Sequence, residues 1–482
     1  MIQIMLYSTY SVIALLVLFY GLYCLLLPGL RARLSFWRLG YRIVMAVRRR
    51  PAGPVARWRK RWARTVGACC LVLALVWLAN LYPQVRLLSQ PLYDPAVHRW
   101  QAENGDGAPG EARILQRLDE ATQAVLKVGA IRQRRRPDMP IDVCVGMCVG
   151  VVHGDKTYVL RVGRKNIDSL EPLDADTEFE IGSITKTFTC AALASLVDEG
   201  TVRLDEPLAA LLPDWTVPDY QGRKITLNDL ATHRSGLPRM PHMPMKGATL
   251  DGLLFRGLID PYRNGTPEYV RGFLAQYRLA REPGSQDEYS NLGVGLLGYA
   301  LATKTRQPYE SLIKQRILEP LGMRDTGVHM SAEQGARFPQ GYIGPVRLGR
   351  LRVVFPMSRW TFAEGFQGCG SINSTVHDML KYVRANIAAP EGLLGRTLAR
   401  IQEPQADVRD IDNCKIGLGM FSMTIKGLDD FMYWHNGGTG GYNSFMAFSK
   451  KSKVGVVMLA TGVCDEELGR ALIKALAVNE TT

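Results

Sequence analysis

What this 482-residue chain lacks first is charge: none of its first thirty residues is ionisable as Asp, Glu, Lys or Arg. Residues 4–27 are almost wholly apolar. At about 1.5 Å per residue in a helix they are long enough to cross a bilayer. No basic residue precedes them, which argues against a cleaved secretory signal, and the missing arginine argues against a mitochondrial transit peptide. Acid is the second absence. Residues 29–64 hold twelve arginines and lysines and no Asp or Glu. Taking those twelve from the net charge of +14 leaves +2, so the basicity is local and a nucleic-acid partner is not expected. A second apolar run covers 65–81. Two transmembrane helices joined by a basic loop are therefore expected. By the positive-inside rule the loop lies in the cytoplasm, and the chain from about residue 83 emerges on the far side. The loop could also grip anionic lipid, and the inverted topology is the alternative.

Cysteine is scarce and scattered: nine residues, with no Cys-x-x-Cys and no zinc spacing. Cys144 and Cys148 would lie about 13 Å apart along one strand, too far to bridge, so no disulfide framework is expected. Gly-x-Ser-x-Gly, His-Glu-x-x-His and Walker motifs are absent, and no metal or cofactor is implied. Gly293-Val-Gly295-Leu-Leu-Gly298 fits the dinucleotide spacing, but it falls inside an apolar helical pattern with no strand before it. Sequons at Asn373 and Asn479 matter only in a glycosylating eukaryote.

Beyond the membrane hairpin (1–82) the pattern reads as a connector (83–140) and then one domain (141–482). The connector includes a helical stretch at 111–128. Residues 141–152 and 156–162 read as a strand hairpin turning at Gly154-Asp155. Helices are expected over 183–198, 207–212, 225–232, 266–277, 292–303, 309–317 and 376–387. Thr226-Leu-Asn-Asp229 is an approximate capping box, and 238–265 reads as a surface excursion. Alternation returns at 420–425, 431–434, 443–448 and 454–460, and 465–477 closes as a helix. Strands at both ends with helices between predict an α/β (α+β) layer closed by the two termini, beside a helical subdomain, with a cleft between them.

Three stretches carry chemistry. In Gly182-Ser183-Ile184-Thr185-Lys186, three residues along a helix bring Ser183 and Lys186 onto one face. A serine hydroxyl needs a neighbouring base before it attacks, and a helix start favours a developing anion. Alone, the pair is equally a helix cap followed by a solvated lysine. Tyr289-Ser290-Asn291 follows a Pro-Gly turn. There a tyrosine near a lysine can act as a base, and an asparagine can bind a carbonyl and order the lysine. His435-Asn436-Gly437-Gly438 ends a strand, where glycine lets backbone approach a ligand and an N–H can hold an oxyanion.

In this order, Ser183-Ile-Thr-Lys186, Tyr289-Ser-Asn291 and His435-Asn-Gly437 resemble the serine β-lactamase-like hydrolases. The likeness is to the branch of class C β-lactamases, D-alanyl-D-alanine carboxypeptidases and esterases. The connecting stretches 225–238 (ITLNDLATHRSGLP), Pro320-Leu-Gly-Met-Arg-Asp325 and 370–378 (GSINSTVHD) share it, from about residue 143 to 476. The resemblance implies an antiparallel sheet flanked by helices, plus an all-helical subdomain. It implies Ser183 as acylated nucleophile, Lys186 as its activator and Tyr289 as general base. It further implies Asn291 on the substrate amide, and backbone N–H groups of Ser183 and Gly438 as oxyanion hole. His435 stands where β-lactamases carry a lysine, and Gly437 keeps the strand open. A histidine is only partly charged at neutral pH, which favours a peptidase, amidase or esterase over a β-lactamase. The expected protein is a membrane-anchored serine hydrolase of the bacterial cytoplasmic membrane, its catalytic domain periplasmic or extracellular. Its substrate would be an amide, an ester or a β-lactam. A penicillin-binding sensor or idle scaffold is the reading from another class.

Overall fold

The computed structural model describes residues 86–88, 98–105, 107, 109–135, 144–241, 260–348, 351–425, 430–462 and 466–477. The two expected spans and the basic loop lie outside the described residues. Among the described residues no helix is long and apolar enough to cross a membrane. The chain divides into two units. In the smaller, built from 1–89 and 345–355, Arg86–Leu88 runs antiparallel to residues 352–354. Everything that follows belongs to the larger unit, residues 90–344 and 356–482.

Its centre is a nine-stranded sheet. In chain order the strands are β1 (Gln101–Ala102), β2 (Cys144–His153), β3 (Lys156–Gly163), β4 (Ala406–Asp407), β5 (Cys414–Ile416), β6 (Phe421–Thr424), β7 (Phe431–Gly438), β8 (Tyr442–Ser449) and β9 (Val454–Gly462). Across the sheet they lie in the order β4-β5-β6-β7-β8-β9-β2-β3-β1, and every pair is antiparallel. The expected α+β architecture is therefore present. The C-terminal strands lie beside β2, so the two ends of the domain close one sheet.

The helices used below are α1 (Pro109–Arg135), α2 (Thr185–Asp198), α3 (Leu227–Ala231), α4 (Asn291–Thr305), α5 (Val376–Ala388), α6 (Leu393–Gln402) and α7 (Glu466–Ala477). Period-2 alternation decides which strand residues meet which helices. Met147, Val149, Val151, Val456 and Met458 pack in one core with Leu118 of α1 and Leu468 and Leu472 of α7. Cys148, Val152, Val457 and Leu459 join the other core, with Phe188 of α2 and Val376 and Leu380 of α5. The stretch read as a connector thus supplies edge strand β1 and a helix of the outer layer. Trp100 and Leu118 are buried there, and the Trp100 indole N–H donates to Thr122 Oγ1 at 3.1 Å.

The helical part follows local sequence rules. Thr226 Oγ1 accepts from the Asp229 N–H at 3.2 Å, and Asp229 returns an acceptor to the Thr226 N–H at 2.9 Å, completing the capping box of α3. Ser290 caps α4 by accepting from the Gly293 N–H at 2.8 Å. Within α4 a Cβ on Gly295 or Gly298 would meet Gly365 or Gly368 backbone within 3 Å. The dinucleotide-like spacing is a close-packing seam.

Candidate active site

From Thr177 to Leu196 every residue is buried except Ser183. Gly182–Ile184 form a 3-10 turn and α2 starts only at Thr185. Ser183 thus stands on a tighter turn than the α-helix expected from its spacing. The turn begins at Gly182, with φ +49, where a Cβ would come within 2.7 Å of the Gly438 nitrogen. Only glycine combines that backbone with that approach. It brings the Ser183 turn against the end of β7. Gly437 serves the same contact from the strand side: a Cβ there would run into the Ile181 carbonyl and the Ser444 hydroxyl.

Lys186 is fully buried. Its Nζ lies 2.8 Å from Ser183 Oγ and donates at 2.7 Å to the Cys369 carbonyl. The Nζ also sits 4.9 Å from the centre of the Tyr289 ring. The three residues expected to do chemistry are thus gathered at one point, from the Gly182–Ile184 turn, α2 and the loop before α4. Asn291 opens α4. It does not order Lys186, whose second partner is Cys369. Its Nδ2 donates to the Tyr262 hydroxyl at 2.7 Å, and its buried Oδ1 has no partner among the described residues.

His435 lies on β7, opposite Met446 of β8, and is fully buried. Its Nδ1 is 2.6 Å from the Asn436 carbonyl, which can only accept, so that nitrogen carries the proton. Its Nε2 is buried and has no partner among the described residues. Burial, and then the nearby Lys186 charge, push its pKa down to about 3. The ring is neutral, not partly charged.

Three contributors had no assigned role in the sequence. His233 packs on the Tyr289 ring at 4.3 Å between centroids, and its Nδ1 accepts from the Ser290 N–H at 3.2 Å. Burial, then Lys186, His435 and Arg239, holds its pKa well below the usual histidine range. Arg239 lies 5.0 Å over the same ring. Tyr262 anchors Asn291. His233 lies inside the stretch 225–238 that carried the resemblance, and Arg239 directly follows it; Tyr262 sits in a loop with no local signal. Behind the turn, buried Glu180 accepts from Thr439 Oγ1 at 2.6 Å and the Trp360 N–H at 2.7 Å, fixing the residue after Gly438.

An antiparallel sheet with a Ser-x-x-Lys pair set between it and a helical layer defines a serine hydrolase. More particularly, the beta-lactamase family model matches residues 132–478, and the chain belongs to the beta-lactamase family. It is 29% identical to the D-alanyl-D-alanine-carboxypeptidase/endopeptidase AmpH of Escherichia coli K12 over 327 residues, covering 66% of this chain and 79% of that one. It is 27% identical over 346 residues to a beta-lactamase of the same strain, covering 65% and 83%. Among solved structures, a class C beta-lactamase superposes with a TM-score of 0.62 at 19% identity, covering 79% of this chain and 99% of its own. The Yersinia pestis beta-lactamase/D-alanine carboxypeptidase complexed with citrate does so at 0.58 and 24% identity, covering 69% and 93%. Both likenesses are of fold.

Proposed function

We propose that this protein cleaves an amide or ester through an acyl-enzyme on Ser183, as a D-alanyl peptidase or esterase rather than a β-lactamase. The observation that carries it is the 2.8 Å contact between buried Lys186 and Ser183, the one residue of its segment that is not fully buried. In this reading Ser183 Oγ attacks the carbonyl while its proton passes toward Lys186 and Tyr289. The Oγ–C bond forms, and the Ser183 and Gly438 N–H groups hold the oxyanion. The C–N or C–O bond then breaks as Tyr289 returns the proton to the leaving group, and water releases the acyl group. Asn291 Oδ1, without a partner among the described residues, is a ready acceptor for a substrate amide N–H. Neutral His435 favours the peptidase or esterase reading, because a lysine's charge is absent where β-lactamases keep it. The same reading anchors the unit by residues 4–27 and 65–81 to the outer side of a bacterial cytoplasmic membrane.

The test is the intact mass of the detergent-purified chain, followed in time after mixing with penicillin, alongside hydrolysis of 4-nitrophenyl butyrate. A stable adduct on Ser183, or ester cleavage without an adduct, supports the peptidase or esterase reading. A transient adduct with penicillin consumed makes it a β-lactamase. Ser183→Ala is expected to lower ester hydrolysis by about 10³-fold or more, and an unchanged rate removes the assignment.

A further inference from the structure

The acyl-enzyme reading leaves open which charge the cleft offers a substrate. Two of the cations or near-cations at the centre are spoken for. Lys186 is buried and committed to Ser183 Oγ and the Cys369 carbonyl. His435 is buried, with its one proton given to the Asn436 carbonyl. Arg239 differs from both. It is exposed, and it has no carboxylate partner among the described residues. Its guanidinium lies 5.0 Å from the centre of the Tyr289 ring.

Arg239 is also held in place. Its carbonyl accepts from the N–H groups of Asn291 at 3.0 Å and Leu292 at 3.2 Å, so it is tied to the first turn of α4. That tie sets it beside Asn291, whose Oδ1 the acyl-enzyme reading offers to a substrate amide N–H, and in this proposal that amide belongs to the substrate's acyl portion. Its charge reaches His233, Tyr262 and Cys369, each of which touches a site residue. An arginine backed by an aromatic ring, with no carboxylate partner among the described residues, presents its planar donor fork to a carboxylate. We propose that Arg239 recognises a carboxylate on the acyl portion of the substrate, so that the cleft prefers acidic acyl groups to neutral ones. This rests on the acyl-enzyme reading of Ser183.

The experiment compares 4-nitrophenyl butyrate with 4-nitrophenyl hydrogen glutarate, which adds a carboxylate to a similar chain, on the full-length protein in detergent. Wild type is expected to favour the glutarate in kcat/KM. Arg239→Gln is expected to lower the glutarate-to-butyrate ratio about threefold to tenfold, mainly through KM for the glutarate, as for a partly exposed ion pair. Arg239→Lys retains much of the preference, and raising salt narrows it. A parallel fall for both esters in Arg239→Gln, or no wild-type preference, overturns the proposal and leaves Arg239 a support for Tyr289. Ester cleavage that survives Ser183→Ala, or no cleavage of either ester together with no penicillin adduct on Ser183, sinks the acyl-enzyme reading instead; an adduct with neither ester cleaved overturns the acyl-group preference alone.

Discussion

At the scale of single residues the site is defined by who keeps a proton. His233 and His435 both face Lys186 and both are neutral, for the same reason: burial disfavours the imidazolium and a neighbouring ammonium disfavours it further. The consequence for stability has a definite sign. The unfolded His435 takes a proton near its ordinary pKa of about 6.5, whereas the folded one resists until about 3. Between those values the unfolded chain binds more protons, so stability falls as pH drops through that window. His435→Gln removes this contribution while keeping a donor and an acceptor. Its melting temperature is expected to fall less than that of wild type between pH 7 and pH 5. Equal falls would mean that His435 is protonated in the folded protein.

At the scale of elements, His377 works in the opposite direction. Near the start of α5, its Nε2 meets Glu103 at 2.9 Å and its Nδ1 meets Asp176 at 2.6 Å. It thereby clips the residue after β1 to the loop before Phe179. Both bonds need the imidazolium, and the two carboxylates raise the pKa to about 9. The clip stabilises fully below about 6.5, the unfolded value, and is lost as pH rises through about 9. His377→Ala is expected to melt below wild type at pH 6 and level with it at pH 10; a gap independent of pH would show a packing role only. The clip also marks a boundary of what sequence reveals. The β2–β3 hairpin, α2 to its end at Asp198, the α3 capping box and β7–β9 follow local periodicity and turn chemistry, so they were legible. Two-residue β4 and three-residue β5 are too short to alternate, and α6 was not singled out from its pattern. The ordered motifs announced Ser183, Lys186, Tyr289, Asn291 and His435. Their partners were not announced, because the Lys186 bond to the Cys369 carbonyl spans 183 residues and ends on backbone, which no side-chain pattern records.

At the scale of the whole molecule, the proposed topology is open to a direct test. Alkaline phosphatase, which is active only outside the cytoplasm, is expected to be active when fused after Thr482 and inactive when fused within the basic loop at residue 45. The reverse pattern would put the catalytic unit in the cytoplasm. The sheet sets a further condition. Strand β9 pairs with β2, and the Gly146 N–H donates to Thr461 Oγ1 at 2.9 Å across 315 residues of chain. Contacts so distant in sequence form late in folding. On the ribosome, Ser183 and Lys186 emerge long before Gly438 and the rest of β7–β9 exist. The nascent chain therefore carries the proposed nucleophile without the strand set against it, and no working hydrolase exists until residues 431–462 have been made.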